Sequence, residues 1–280
     1  MIRRLRLIAT MSAVALLGAR ALAEARERRY VSLAPSTTEI LFALGVDDEL
    51  AGVSLLCEHP PAARTKPKVG SFSRPDVEKI LSLRPDIVFC TGTEQAAAAA
   101  NLKKLGLTVY VSNPTSFQEL FDSIQGIGRR IDRQRQADTL IAAMRGEINR
   151  VTAEVEQVPP DKRPKVFVEF WHTPLMTAGK GSFVDELIHL AGGINIAGDL
   201  GAPYGNISAE EVIRRNPDFI FLTSMDGKNN VRLVKESWGW DKISAIVNDR
   251  VYGDIDPDLV LTPGPRLVDG LRELHRRLYP

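Results

Sequence analysis

The longest regular pattern of apolar residues covers residues 132–157. Apolar side chains recur there at intervals of three and four, the spacing of one face of an amphipathic helix: Ala137, Leu140, Ile141, Met144, Ile148, Val151 and Val155. Asp132 is suited to cap the amino end, and Pro159 and Pro160 interrupt the pattern after the other end. At 1.5 Å per residue such a helix is about 37 Å long. The pattern therefore predicts one long helix near the middle of the chain.

The chain on either side of this helix repeats one pattern. Residues 77–92 and residues 209–224 each open with an acidic helical stretch, pass through Pro-Asp and end in a β-rich apolar run. Proline disfavours helix at the residue before it, so each helix should stop there. The runs 87–89 and 219–221 are then typical of buried strands in parallel sheets.

A second pair of similar segments, residues 38–45 and 185–193, comes in the same order. Two pairs in the same order predict two α/β lobes of similar build. We divide the chain into a leader over residues 1–23, an amino-terminal lobe over 24–131, a bridging helix over 132–158 and a carboxy-terminal lobe over 159–280.

The first 23 residues have the features of a secretory signal peptide. Arg3, Arg4 and Arg6 precede an apolar stretch over residues 7–18, which is too short to span a bilayer. Small residues in the segment 21–23 suit signal cleavage. A buried amino-terminal helix is the alternative. No cysteine near the cleavage site could carry a lipid, so we expect an exported, soluble protein of the periplasm.

Composition narrows the class further. The chain has 280 residues, of which 25% are charged and 44% hydrophobic, as in globular proteins of this size. The net charge is +1 and no basic tract is present, so nothing points to nucleic acid. Cys57 and Cys90 both follow strand-like runs and could meet in a disulfide, although two free thiols are our default expectation.

Candidate ligand contacts follow from the order of the elements. In open parallel sheets, ligands bind beyond the carboxyl ends of the strands. Those ends carry mainly proline, small and aromatic residues, including Pro35, Trp171, Tyr204 and the loops 55–72 and 256–265. Such residues suit holding a bulky molecule by stacking and shape better than catalysis.

No catalytic motif is apparent. The chain has no G-x-S-x-G, H-E-x-x-H or C-x-x-C, and its GKGS segment lacks the features of a phosphate loop. His189 and His275 fall within helices and are read as structural or surface residues. His59 and His172 fall on loops, where either could bind the metal of a chelate. A site for a bare ion needs three or four converging ligands, so we expect none.

The ordered segments VSLAPSTTEILFALG, CEHPP, KVGSF, VEKILSLRPDIV, PLMTAGKGSFVDELIHLAGG and PGPRLVDGL resemble the helical-backbone class of periplasmic substrate-binding proteins of ABC importers. The resemblance runs from residue 30 to the carboxy terminus. It is closest to the branch that includes vitamin B12 (cobalamin)-binding proteins, alongside iron–siderophore and haem binders. It implies an α/β fold with two Rossmann-like lobes bridged by a single long helix, a ligand cleft between them and little closure.

The resemblance also implies a ligand and its contacts. The expected cargo is a bulky metal chelate, first of all cobalamin or another corrinoid, with an iron–siderophore complex or haem as the alternative. His59 or His172 as an axial ligand would favour haem. Leu56 stands where the corrinoid branch has tyrosine, and Phe72 where it has tryptophan. The matching cleft positions are Leu56, His59, Phe72, Trp171, Tyr204 and Arg266. Arg266 would meet a polar group of the ligand or else cap the last helix.

The resemblance finally implies a partner. One glutamate on each lobe of the family meets arginines of a membrane permease, and Glu78 and Glu210 stand at the matching positions. Acidic residues also favour helix amino termini through the helix dipole, which explains them equally well. We expect a monomer without a catalytic cofactor. The distant alternatives are a periplasmic enzyme or a metal-insertion protein on a two-lobed scaffold.

Overall fold

The amino-terminal part of the chain forms a parallel sheet with helices beside it. The computed structural model describes residues 28–92, 94–224 and 230–280, so the predicted signal peptide lies outside the described residues. The sheet has the order β2-β1-β3-β4, with strands β1 (Tyr30–Ser32), β2 (Leu50–Val53), β3 (Ile87–Thr91) and β4 (Val109–Ser112). Its helices are α1 (Pro35–Ala43), α2 (Val77–Ser82), α3 (Ala96–Lys104) and α4 (Phe117–Arg130), with a 3₁₀ turn at Pro61–Thr65.

The predicted long helix is α5 (Gln134–Val155), which begins two residues later and ends two residues earlier than the apolar pattern. The prediction that Asp132 caps it was wrong. Asp132 has a φ of +55° and contacts Arg28 instead, while Arg133 occupies the capping position without a capping bond from its side chain. The reason is the short connection from α4: the chain reverses within three residues, and Asp is one of the few residues that tolerates the left-handed conformation this requires.

The carboxy-terminal part repeats the parallel sheet with shorter strands. A 3₁₀ turn at Pro160–Lys162 leads from α5 into this part. The sheet has the order β10-β9-β5-β7. Its strands are β5 (Lys165–Glu169), β7 (Ile194–Asn195), β9 (Phe219–Leu222) and β10 (Val251–Tyr252). The helices are α6 (Phe183–Leu190), α7 (Ala209–Arg215), α8 (Val231–Lys235), α9 (Ser244–Val247), α10 (Asp258–Leu261) and α11 (Leu267–Leu278).

A separate antiparallel ribbon pairs β6 (Met176–Ala178) with β8 (Tyr204–Asn206), outside the runs whose apolar composition predicted strands. The remaining architecture agrees with the predicted α/β class. The runs at 87–89 and 219–221 are strands of the two parallel sheets, as their apolar composition predicted.

One apolar core connects the two sheets through α5. The buried residues of the helix, among them Met144 and Val151, belong to the same cluster as Phe89 of β3 and Phe221 of β9. Helix α5 packs on α4 on one side and on α6 and α11 on the other. Smaller clusters cover the outer faces of the sheets. In the described ranges, none of the helices is both long and apolar enough to cross a bilayer.

The carboxyl edges of the two sheets face each other. Glu39 of α1, the helix that follows β1, pairs with Arg266, which lies after β10 at the start of α11. Phe117, which follows β4, makes an edge-to-face contact with Phe183 at 6.1 Å between ring centroids. The backbone N–H of Phe117 also donates to the Glu186 carboxylate at 2.9 Å. Loops at these edges therefore border a common space between the two lobes.

The packing of α11 against α10 predicts a clear difference between two helical glycines. A Cβ on Gly270 would lie 2.0 Å from the Leu259 carbonyl oxygen, whereas a Cβ on Gly146 of α5 would meet nothing within 4 Å. We expect Gly270→Ala to lower the free energy of unfolding by about 1–3 kcal/mol. Gly146→Ala should raise it by about 0.5–1 kcal/mol, because alanine is the better helix former. Urea unfolding of both variants measures this, and an unchanged Gly270→Ala protein would contradict the packing described.

Candidate ligand-binding cleft

Gln95 holds one side of the cleft together. Its side chain is fully buried at the start of α3. The amide nitrogen donates to the backbone oxygens of Leu33 and Phe72, both at 2.8 Å, and the amide oxygen accepts from the Thr91 N–H at 2.9 Å. The half-buried Phe72 is thereby fixed beside the carboxyl ends of β1 and β3. Sequence reasoning missed Gln95, because no local pattern marks a buried amide.

Leu56 and His59 lie on a loop that the buried thiol of Cys57 attaches to the protein core. Cys57 is buried and free, and its sulfur lies 3.1 Å from the Thr38 hydroxyl and 3.2 Å from the Ser54 hydroxyl. Leu56, beside it, is 59% exposed, so the loop presents an apolar side chain to solvent. Cys90, on the neighbouring strand β3, is also free and buried, as the default expectation had it.

Pro35 and His59 complete the amino-terminal side. Pro35 is half-buried at the first position of α1, directly after β1. His59 is exposed, and its pKa is lowered by partial burial and then by the nearby charge of Arg266. The field of Arg266 at His59 indicates that these two predicted cleft residues lie in one neighbourhood, although they come from opposite lobes.

Trp171 and Tyr204 form the aromatic side of the carboxy-terminal lobe. Trp171 follows β5, donates its indole N–H to the Thr173 carbonyl at 2.8 Å and is 43% exposed. Tyr204 lies on β8 and is 49% exposed, with its ring 5.8 Å from that of Phe170. Desolvation raises the pKa of Tyr204, so the hydroxyl is neutral at physiological pH. Both rings offer an apolar face and a fixed orientation to a ligand.

His172 is oriented by a buried carboxylate. Its Nδ1 lies 3.1 Å from Oε1 of Glu169, the last residue of β5. Glu169 is only 6% exposed, and burial raises its pKa. In the described part of the chain no group bonds to Glu169 Oε2 or to the buried hydroxyl of Thr223 on the next strand. When Glu169 is ionised, Nδ1 donates to it and Nε2 keeps a lone pair that can bind a metal.

Arg266 is engaged with a carboxylate of the other lobe. Oε1 of Glu39 accepts from its Nε at 3.1 Å and from its Nη2 at 2.7 Å. The Glu39 side chain is 4% exposed, and burial raises its pKa. The alternative expectation, that Arg266 caps the last helix, holds for its position but not for its side chain: the residue occupies the capping position of α11 and makes no capping bond.

Glu78 and Glu210 occupy equivalent exposed positions on the two lobes. Each lies in the first turn of its helix, α2 or α7, behind a capping residue, Asp76 or Ser208. The pKa of Glu210 is lowered by its own backbone N–H and by the Ser208 hydroxyl, so it stays charged. The expected pair of surface carboxylates is therefore present on both lobes.

A second concave region lies between α5 and α11, with a volume of about 750 Å³. Its charged side chains bond to one another, as in the pairs His275–Glu154 at 3.1 Å and Arg276–Glu273 at 2.7 Å. These pairs stabilise the surface and leave little for a ligand. Across residues 28–92, 94–224 and 230–280, no three or more His, Cys, Asp or Glu side chains come together in a way that could hold a metal ion.

The chain belongs to the periplasmic binding protein family, which matches it over residues 31–259. An uncharacterised ABC transporter substrate-binding lipoprotein of Bacillus subtilis strain 168, YvrC, is 34% identical over 258 residues, covering 90% of this chain and 80% of that protein. A vitamin B12-binding protein of Vibrio cholerae is 28% identical over 249 residues, covering 88% of this chain and 87% of that protein.

Solved structures agree with the fold. A possible iron-binding periplasmic protein of Staphylococcus epidermidis superposes with a TM-score of 0.80 at 29% identity, covering 90% of this chain and 99% of that chain. The haem-binding protein RhuT of Roseiflexus sp. RS-1 also gives 0.80, at 25% identity with 90% and 98% covered. The protein is thus a substrate-binding protein of the ABC transporter type, a class of transport proteins rather than enzymes.

The three hydrogen bonds of the Gln95 side chain predict that removing them destabilises the protein more than removing an exposed glutamine does. Gln95→Met keeps the size of the side chain but leaves the Thr91 N–H and two carbonyl oxygens without their partner. We expect the free energy of unfolding to fall by about 2–4 kcal/mol and the 55–75 segment to become sensitive to protease. Gln118→Met, at an exposed position of α4, is the matched control and should change stability by less than about 0.5 kcal/mol. Equal stability of the two variants would contradict the role of Gln95.

Proposed function

We propose that the protein binds a bulky metal chelate between its lobes, first of all a corrinoid such as cobalamin, and delivers it to an ABC importer. The observation that carries this proposal is the pair of half-exposed aromatic rings, Trp171 and Tyr204, at the edge of the sheet that faces the other lobe. Phe72 and Leu56 add apolar surface on the opposite side. A large flat ring system is the kind of ligand that such surfaces hold best.

The similarity to a vitamin B12-binding protein over most of both chains supports the corrinoid within this class. The expected signal peptide over residues 1–23 supports export to the periplasm, where such a carrier would work. The division into lobes at residues 24–131 and 159–280, with the bridging helix over 132–158, is part of the same proposal. In this arrangement the ligand enters a space that changes little in shape.

A second candidate cargo is haem, or another iron chelate with an open coordination position. The specific observation in its favour is the bond between His172 and the buried Glu169, because histidines that bind metals commonly donate their other ring N–H to a carboxylate. His59 is the alternative axial ligand, but none of its described contacts fixes its ring. Haem-binding and iron-binding proteins among the similar structures support this candidate.

Calorimetric titration with cyanocobalamin, haem and a panel of ferric siderophores tests the cargo. We expect saturable one-to-one binding of cyanocobalamin, and a rise of about tenfold or more in Kd in Trp171→Ala and in Tyr204→Ala, which remove a stacking face. Trp238→Ala is the matched control, since Trp238 is 93% exposed and is not among the predicted cleft residues.

The same titration distinguishes the second candidate. Binding of haem with a Soret band that changes in His172→Ala, but not in the helical surface control His189→Ala, would move the assignment to haem. Absence of heat with every chelate would contradict the proposed cargo class altogether.

Docking to the permease is proposed for Glu78 and Glu210, which are exposed at the heads of equivalent helices. We expect the double variant Glu78→Ala/Glu210→Ala to bind its ligand with unchanged affinity and to support no uptake in cells, because both carboxylates would meet permease arginines. Glu156→Ala, an exposed acidic residue just beyond α5, serves as the control and should leave uptake intact. Normal uptake by the double variant would end this proposal.

A further inference from the structure

The seam between the lobes contains three carboxyl groups around one guanidinium. Arg266 contacts Glu39 at 2.7 Å, Asp256 at 3.3 Å and Asp258 at 3.7 Å. Glu39 comes from α1 of the amino-terminal lobe, and the other three residues come from the segment after β10. We name these four residues the seam cluster. When its three carboxyl groups are ionised, the cluster has two more negative charges than positive ones.

Arg266 makes its closest ion pair with Glu39. Two of its nitrogens face Oε1 of Glu39, and the side chain is only 16% exposed, so water does little to screen this pair. Asp256 and Asp258 receive one longer contact each and remain 52% and 57% exposed. Asp256 also accepts from the Asp258 N–H at 3.0 Å, and Asp258 from the Thr262 hydroxyl at 3.2 Å, so both carboxylates are held at the edge of the seam while staying open to solvent.

Glu39 keeps one of its two carboxyl oxygens without a partner among the described residues inside the seam. Its Oε2 is buried, and no donor reaches it from residues that the structure describes. This oxygen is directed toward the Arg266-bearing segment, where a Cβ on Gly264 would lie 2.9 Å away. A substitution by any larger residue at Gly264 would press on the carboxylate. The close approach keeps the unpaired oxygen in place inside the seam.

Among the described residues, only Arg266 forms ion pairs with the acids of the seam cluster. Three other arginines border the region between α5 and α11 together with Asp256, but they pair with other acids: Arg150, Arg272 and Arg276. His59 lies in the field of Arg266 and of three acids, Asp256, Asp258 and Asp269. Its pKa is nevertheless lowered, so the ring is neutral at physiological pH. Asp269, on α11, is bonded to Arg272, which is thereby occupied. A ligand edge that comes to this end of the cleft therefore meets a negative field.

We propose that the seam cluster sets the charge class of the cargo: it admits a chelate edge that is uncharged or cationic and disfavours one that carries carboxylates. This inference rests on the proposed function, because it concerns the ligand of the same cleft. Among chelates, it favours a macrocycle with neutral amide side chains over one with free acid groups. It also implies that Arg266 does not bind an anionic group of the ligand, because it already pairs with the acids of the seam cluster.

Chemically matched ligand pairs test the inference on the intact mature protein. Cyanocobalamin and its separate monocarboxylates differ only in the conversion of one peripheral amide to a carboxylate. We expect at least one monocarboxylate isomer to bind with a Kd at least tenfold higher than that of cyanocobalamin at low salt. In Asp256→Asn/Asp258→Asn, whose substituted side chains are both more than half exposed, this difference should fall to threefold or less.

The control is Asp161→Asn/Glu156→Gln, which removes the same charge from exposed positions near the end of α5 and should preserve the tenfold difference. If haem proves to be the cargo, haem and its dimethyl ester form the equivalent pair, and the ester should bind more tightly. Equal or tighter binding of the acid form to the unmodified protein would overturn the inference while leaving the proposed function intact. Failure of both ligand classes to bind would instead refute the proposed function, and the inference with it.

Discussion

The burial of one face of α5 is the constraint on which the rest of the structure depends. Met144 and Val151 pack into a core that also contains Phe89 of one sheet and Phe221 of the other. Fully burying such a side chain is worth about 1.5–3 kcal/mol, so parting the lobes along this face would cost several of these contributions at once. We therefore expect the space between the carboxyl edges to change little in width, so that recognition comes from its lining rather than from closure.

The sequence predicted those parts of the fold that depend on local pattern. The apolar spacing along α5 and the Pro-Asp sequences before β3 and β9 act within a few residues, and they indicated the right elements. The ribbon β6–β8 was missed because Ala178 pairs with Tyr204, far along the chain, and three-residue strands carry no readable alternation. The capping role of Asp132 was wrong because the preceding helix ends too close to allow it.

The candidate site, like the fold, has one part that the sequence predicted and another that it did not. The rule about strand ends placed Trp171 and the first loop at the carboxyl edges of the two sheets, whereas Tyr204 lies on the ribbon β6–β8 that the sequence did not indicate. The polar residues that position them could not be found, since Gln95 bonds to Leu33, 62 residues away, and Arg266 to Glu39, 227 residues away. A buried amide or carboxylate is favourable only with its partner present, and only the folded chain supplies the partner.

The segments that line the cleft are attached to the core without being part of it. Asp256 and Asp258 are more than half exposed, Trp171 follows the end of β5, and Tyr204 lies on the short ribbon beside the main sheet. Substitutions at such positions change what the protein recognises at little cost to folding, because surface changes rarely exceed about 0.5 kcal/mol. A few point mutations at such positions can therefore change the ligand that the scaffold accepts, without touching the separate helices that carry Glu78 and Glu210.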